Sequence, residues 1–211
     1  MTEAFPTHKQ VVIIGGGIIG CSVAYHLTKL GWTDVVIVER KTLTSGTTWH
    51  APGLVGQLRA TANITKLAQY TSKLYAGLEE ETGQATGFQQ TGSISIATNN
   101  ERFEELKRGA SMARVFNLEV DLKTPKELAK YWPLMNMDDV LGGVYLPGDG
   151  QTNPVDTTMA LAKGAKMRGA EIFEETRVTG ILQKNGVATG VSTDKGDIKA
   201  EFVVNCTGMW S

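Results

Sequence analysis

The stretch Val11–Gly20, V-V-I-I-G-G-G-I-I-G, constrains the fold of this chain more than any other. Val11–Ile14 is a β-branched run bounded by glycine, the pattern of a strand buried on both faces of a parallel sheet. Gly15, Gly17 and Gly20 follow at G-x-G-x-x-G spacing. The first allows a tight turn, the second lets backbone approach a pyrophosphate, and the third lets a helix pack closely on the strand. The next segment places Ile18, Ile19, Val23, Ala24, Leu27 and Leu30 at helical spacing and stops at Gly31. Its N-terminus therefore points at the glycine turn, where free N–H groups and the helix dipole make an anion site. Val35–Val38 reads as the second strand. Glu39 ends it, 19 residues after Gly20, where an acid can bind a ribose 2′-hydroxyl. Strand, glycine turn, helix, strand and acid together predict dinucleotide binding. NAD and FAD both satisfy the pattern, whereas the Glu39 carboxylate would repel the 2′-phosphate of NADP, with Arg40 beside it pulling the other way.

Composition excludes several alternatives. With 21 Lys and Arg against 22 Asp and Glu, the chain has no electrostatic footprint for nucleic acid or an anionic membrane. No apolar run approaches the roughly 20 residues of a membrane span. Met1–Gln10 is polar and carries Glu3, unlike a signal or transit peptide, so a cytoplasmic protein is expected. Cys21 and Cys206 give no disulfide framework and read as core residues. No Cys and His cluster has metal-binding spacing.

Lys41–Leu54 lacks periodicity and reads as a loop marked by Gly46, Pro52 and Gly53. An amphipathic helix is expected over Ile64–Leu78, with Glu79, Glu80 and Glu81 forming a solvated face. Gly92–Ala97 alternates as a strand does. Asn99 or Asn100 caps a helix carrying Phe103, Leu106, Ala110, Ala113 and Phe116, and a short strand follows at Leu118–Leu122. Thr124–Glu127 spells a capping box, and Trp132-Pro133 a helix stop. Asn153 and Pro154 start a helix that runs to Arg168 and closes at Gly169. Glu171–Phe173 reads as a third parallel strand. Arg177-Val178 then leads into a three-strand meander, Ile181–Gln183, Val187–Ser192 and Ile198–Ala200, turning at Asn185-Gly186 and Lys195-Gly196. Phe202–Asn205 is a separate buried strand, ended by Cys206-Thr207-Gly208. The predicted class is α/β: an FAD-binding, Rossmann-like parallel sheet with a crossover β-meander, and the start of an inserted α+β substrate domain. Residues 1–91 and 151–211 form the two parts of the FAD-binding domain, and 92–150 the insertion. A further helix is expected after Ser211, so the chain reads as the first part of a longer enzyme.

V-V-I-I-G-G-G-I-I-G, V-V-I-V-E-R, S-G-T-T-W-H-A-P-G-L, T-G-S-I-S-I-A and V-V-N-C-T-G together resemble the FAD-dependent amine oxidoreductases of the D-amino-acid oxidase superfamily, in particular the dimethylglycine and sarcosine dehydrogenase family. The likeness runs over essentially the whole chain. It implies FAD bound covalently through His50, a role for which a neutral imidazole nitrogen is a suitable nucleophile. It also implies that Ile18 and Ile19 lie at the pyrophosphate turn and Glu39 and Arg40 at the adenosine ribose. Gly46, Thr47, Thr48, Trp49, His50, Ala51, Gly53 and Leu54 would wrap the flavin and its phosphates. Val178 would touch the adenine, and Thr207 and Gly208 would pass near the cofactor. The implied activity is oxidation of an N-methylated amino acid by hydride transfer to flavin, giving an iminium that is hydrolysed or passed to tetrahydrofolate, with the electrons going to a separate acceptor. The family's substrate-contacting His and Tyr lie beyond Ser211, so no catalytic residue is assigned within the chain.

His8 reads as a surface residue and His26 as a surface or partly buried one. Trp49 either packs over the flavin ring or fills its loop, and Trp210 packs in the continuation of the chain. Two other readings stand beside the dehydrogenase. One is a different amine or amino-acid oxidase of the superfamily. The other is a non-catalytic regulatory paralogue on the same scaffold, since a fold does not fix a function.

Overall fold

A computed structural model describes residues 4–211, and Met1–Glu3 of the polar leader lie outside the described residues. In chain order the elements are β1 (His8–Ile14), α1 (Ile18–Lys29), β2 (Val35–Val38), β3 (Leu54–Val55), α2 (Ala62–Thr82), β4 (Ser93–Ala97), α3 (Asn100–Val115) and β5 (Asp121–Lys123). There follow α4 (Pro125–Tyr131), β6 (Gly142–Leu146), β7 (Gly150–Gln151), α5 (Pro154–Lys166), β8 (Glu171–Phe173), β9 (Val178–Lys184), β10 (Val187–Thr193) and β11 (Gly196–Asn205). They form two compact units. One comprises the residues through Pro52 with Gly77–Gly87 and Asn153–Ser211, the other Gly53–Ala76 with Phe88–Thr152.

The first unit is built on a six-stranded sheet in the order β8-β2-β1-β11-β10-β9. The first four strands run parallel, and β10 and β9 return antiparallel. β1 and β2 have no solvent face, which is why they read as unbroken apolar runs: Val11–Ile13 and Val35–Val38 are all essentially inaccessible. Val12, Ile14, Val36 and Val38 join Val191, Ile198 and Ala200 in one cluster, closed by Phe5 and Phe173. On the opposite face α1 and α5 pack together. Gly164 of α5 lies so close to the buried Tyr25 of α1 that an added Cβ would stand 2.8 Å from its ring.

The sheet departs from expectation in one respect. Ile198–Ala200 and Phe202–Asn205 are not separate strands but halves of β11, which pairs antiparallel with β10 over Gly196–Lys199 and parallel with β1 from Lys199 on. Each half obeys its own partner, so the burial rhythm changes midway and mimics a break. Asn185 and Gly186, at φ 53° and 78°, make the expected hairpin turn. Glu81 is a second correction. It does not lie on a solvated face; it accepts from the Tyr25 hydroxyl at 2.7 Å and pairs with Arg168 and, at 3.6 Å, Lys29.

The second unit holds an antiparallel sheet, β4-β6-β5, and a two-residue pairing of β3 with β7. α3 covers the three-stranded sheet through Ala110, Ala113, Leu118, Val120, Val144 and Leu146. Asn99 caps α3 by accepting from Arg102 N–H, and Thr124 with Glu127 forms the capping box of α4, which stops at Tyr131 before Trp132. The short strand expected at Leu118–Leu122 is displaced to Asp121–Lys123, and β6 was not anticipated. Among the described residues no helix is long and apolar enough to cross a membrane.

Candidate cofactor site

The first unit carries a cavity of about 330 Å³ at the C-terminal ends of its parallel strands, where order along the sheet reverses about β1. Its floor is the glycine turn. Gly15 has φ 108°, and a Cβ there would stand 2.5 Å from the Cys206 carbonyl oxygen. Only glycine lets the ends of β1 and β11 close side by side. Gly17 is the N-cap of α1 and supplies no side-chain acceptor; Thr48 takes the Ile18 N–H, and the positive end of the helix still faces the turn as an anion site. At Gly20 a Cβ would fall 1.9 Å from the Gly15 carbonyl oxygen and against Ile13, the close helix-to-strand approach its spacing predicts.

One wall is the loop after β2. Glu39 donates its N–H to Phe173 O, and its carboxylate accepts from Gly16 N–H at 2.7 Å and Lys41 N–H at 2.9 Å. Thr44, buried and held at φ 70°, donates its N–H to Gly16 O. A β-branched residue takes that conformation only where its surroundings fix it. Thr48, also buried, accepts from Ile18 N–H at 3.1 Å, so the loop is sewn to the glycine turn at two points. What read as an irregular loop contains a single 3₁₀ turn, Thr48–His50. It presents Trp49 and His50 outward, ring centroids 3.7 Å apart and tilted by 33°.

The far wall joins Arg177 and Val178 at the start of β9 to Thr207, Gly208 and Trp210 after β11. Trp210 does not pack away from the site. It stands on Gly46, 3.2 Å from where a Cβ would be, and carries the Arg40 guanidinium 4.6 Å over its ring.

Of the residues singled out from sequence, Gly15, Gly17, Glu39, Arg40, Gly46, Thr47, Thr48, Val178, Thr207 and Gly208 line this one cavity. Gly20 supports it from beneath. Ile18 does not line it, its backbone N–H being donated to Thr48, and Ile19 is 64% exposed. Trp49, His50 and Ala51 sit on the exposed side of the loop, and Gly53 and Leu54 belong to the second unit. Sequence reasoning passed over Lys41, Ser45, Thr176, Arg177 and Trp210 as lining residues. Arg177 abuts Val178 and could have been found from it; Trp210 gave no local signal.

Burial, aided by the Glu39 carboxylate and Cys206, pushes the Cys21 thiol pKa up to about 12, and burial also raises that of Cys206. The cavity offers the means of binding: a helix N-terminus for a diphosphate, a carboxylate for ribose hydroxyls, and a glycine turn in which a Cβ at Gly15 or Gly20 would collide with backbone. These features fit a flavin adenine dinucleotide.

A family model for FAD dependent oxidoreductases matches residues 10–211. The regulatory subunit of mitochondrial pyruvate dehydrogenase phosphatase from Mus musculus is 43% identical over 208 residues, 99% of this chain and 24% of that protein. Mitochondrial sarcosine dehydrogenase from Homo sapiens is 43% identical over 216 residues, 100% of this chain and 24% of that protein. The crystal structure of L-proline dehydrogenase from P. horikoshii matches with a TM-score of 0.91 at 32% identity, covering 98% of this chain and 54% of that one. The chain spans about a quarter of the length of these curated relatives.

Proposed function

The chain belongs to the FAD dependent oxidoreductase family, and from that premise we propose that its parent protein oxidises an N-methylated amino acid of the sarcosine or dimethylglycine type, with FAD linked covalently to His50. The observation that carries this reading is the S-G-T-T-W-H turn. His50 is exposed on a 3₁₀ turn that Thr48 ties to the glycine turn, within a few residues of the cavity wall formed by Gly46–Thr48. Bound there, the flavin would supply the hydride acceptor for the N-methyl carbon. The chain's own residues bind and orient. Gly15, Gly17 and the first turn of α1 would hold the diphosphate, Glu39 the ribose hydroxyls, and the Gly46–His50 segment the ring and its attachment. Tetrahydrofolate as acceptor of the one-carbon product, and a separate electron acceptor, belong to the same proposal.

A second reading has its own support. The pyruvate dehydrogenase phosphatase regulatory subunit is as similar to this chain as sarcosine dehydrogenase is, so a regulatory role on an intact scaffold is the alternative. Mass mapping of tryptic peptides from the full-length parent separates them. A flavin adduct on Thr42–Arg59, the peptide holding His50, with yellow colour retained on denaturation, is the expected result. Free FAD with an unmodified peptide would remove the covalent link. A parent that binds no flavin at all would transfer the argument to the regulatory reading.

A further inference from the structure

At the Glu39 end of the cavity the wall turns basic. Arg40, Lys41 and Arg177 line it, and the same three side chains line a second, more open cavity of about 310 Å³. The charges facing the first cavity are these three cations against Glu39, and both oxygens of that carboxylate already accept backbone N–H bonds. The acids on neighbouring turns are similarly engaged: Asp194 accepts from Arg177 N–H and Glu174 from Leu43 N–H. Among the described residues none of the three cations has a carboxylate within 4.0 Å. The Arg40 guanidinium carbon stands 4.6 Å from the Trp210 ring centroid, a cation–π contact that holds the charge at this wall.

FAD leaves this cluster without an anion, because its diphosphate is claimed by the glycine turn and its adenosine carries no further phosphate. We propose that Arg40, Lys41 and Arg177 form a phosphate-monoester site beside the adenosine subsite, which takes the ribose phosphate of an adenine nucleotide. Three convergent donors around an open cavity suit a dianionic monoester, whose oxygens accept charge-assisted bonds. Because both cavities share the three cations, such a nucleotide occupies the adenosine subsite in place of FAD, and phosphorylated adenine nucleotides compete with flavin loading. The inference rests on the cavity being the adenosine pocket of an FAD site. Free phosphate offers the same chemistry and is the other source of a ligand.

The test uses the full-length parent carrying His50→Ala, so that flavin is exchangeable, and two matched pairs that differ only in a ribose phosphate: coenzyme A with dephospho-coenzyme A, and NADP⁺ with NAD⁺. Release of FAD is followed by its fluorescence and occupancy by the thermal midpoint. The phosphorylated member of at least one pair is expected to displace FAD at a concentration lower by about tenfold or more. Lys41→Ala combined with Arg177→Ala should remove that margin, so that the two members of each pair displace FAD at equal concentrations. If inorganic phosphate instead raises the midpoint with FAD retained, and the double variant abolishes the effect, the site stands but its occupant is free phosphate. Equal displacement within both pairs and no response to phosphate overturns the proposal. Failure of FAD itself to bind counts against the cofactor reading, and the midpoint still reports on the phosphate site.

Discussion

Thr48 shows how a single side chain can decide whether a loop becomes a site. Its hydroxyl accepts from Ile18 N–H, in place of the cap that Gly17 cannot provide, and it is the buried anchor of the turn that carries Trp49 and His50. Thr48→Val keeps the shape and removes the acceptor, leaving the Ile18 N–H unpaired at a cost of about 1–3 kcal/mol. We expect the full-length variant to unfold at lower urea and to retain less flavin, and Thr48→Ser to recover both. Equal flavin content in Thr48→Val and the parent would show that the turn needs no such anchor. At this scale the glycines were the most legible residues, since each replaces a specific collision: Gly15 with Cys206 and Gly20 with Gly15. Trp210 was not legible. It reaches the site because β11 ends beside it, and nothing in its flanking residues encodes that arrival.

Elements were readable where one partner dictates the pattern and unreadable where two do. β6 carries little strand signal, because it opens on Gly142 and Gly143. In the sheet they are required: a Cβ at Gly142 would meet the Phe103 ring at 2.8 Å and one at Gly143 the Ser95 carbonyl oxygen at 2.5 Å. The acidic end of α2 was misjudged for a related reason. Helical periodicity shows which face a residue takes but not that α1 and α5 bring Tyr25, Lys29 and Arg168 to it. That tie has a pH signature. Burial alone would raise the Glu81 pKa, but the Tyr25 hydroxyl and the Arg168 guanidinium, with Lys29 adding charge, hold it below the ordinary carboxylate value. A carboxylate depressed in the folded state contributes stability that is fully present above its unfolded pKa and is lost as pH falls through the folded one. Glu81→Gln should therefore lower the urea midpoint at neutral pH, with the gap to the parent closing as pH drops below about 4. A gap that stays constant into strong acid would mean that Glu81 acts through packing rather than charge.

At the scale of the whole molecule, the cofactor unit is assembled from segments distant in the chain. β1 finds its neighbour β2 across one short helix, but its other neighbour is β11, with Val11 opposite Phe202 and Ile14 opposite Asn205. The second unit's 53–76 and 88–152 segments intervene before β11 is reached. Closing so long a loop costs entropy before any contact offsets it, whereas β9, β10 and β11 are joined by tight turns. The order of formation follows. The meander should form first as a local antiparallel unit, and β1 should add to its free β11 edge later, so that the glycine turn and the Gly15 contact with Cys206 are completed only in that final docking. Hydrogen-exchange pulse labelling during refolding of the parent tests this, since hairpins form in about microseconds and long-range parallel pairing is far slower. Amides in β10 and in the Gly196–Lys199 half of β11 are expected to gain protection before those of Lys9–Ile14. Simultaneous protection, or β1 ahead of the meander, would place the parallel core first. In that case the cradle for the diphosphate would exist early enough for flavin to template the remainder of the unit.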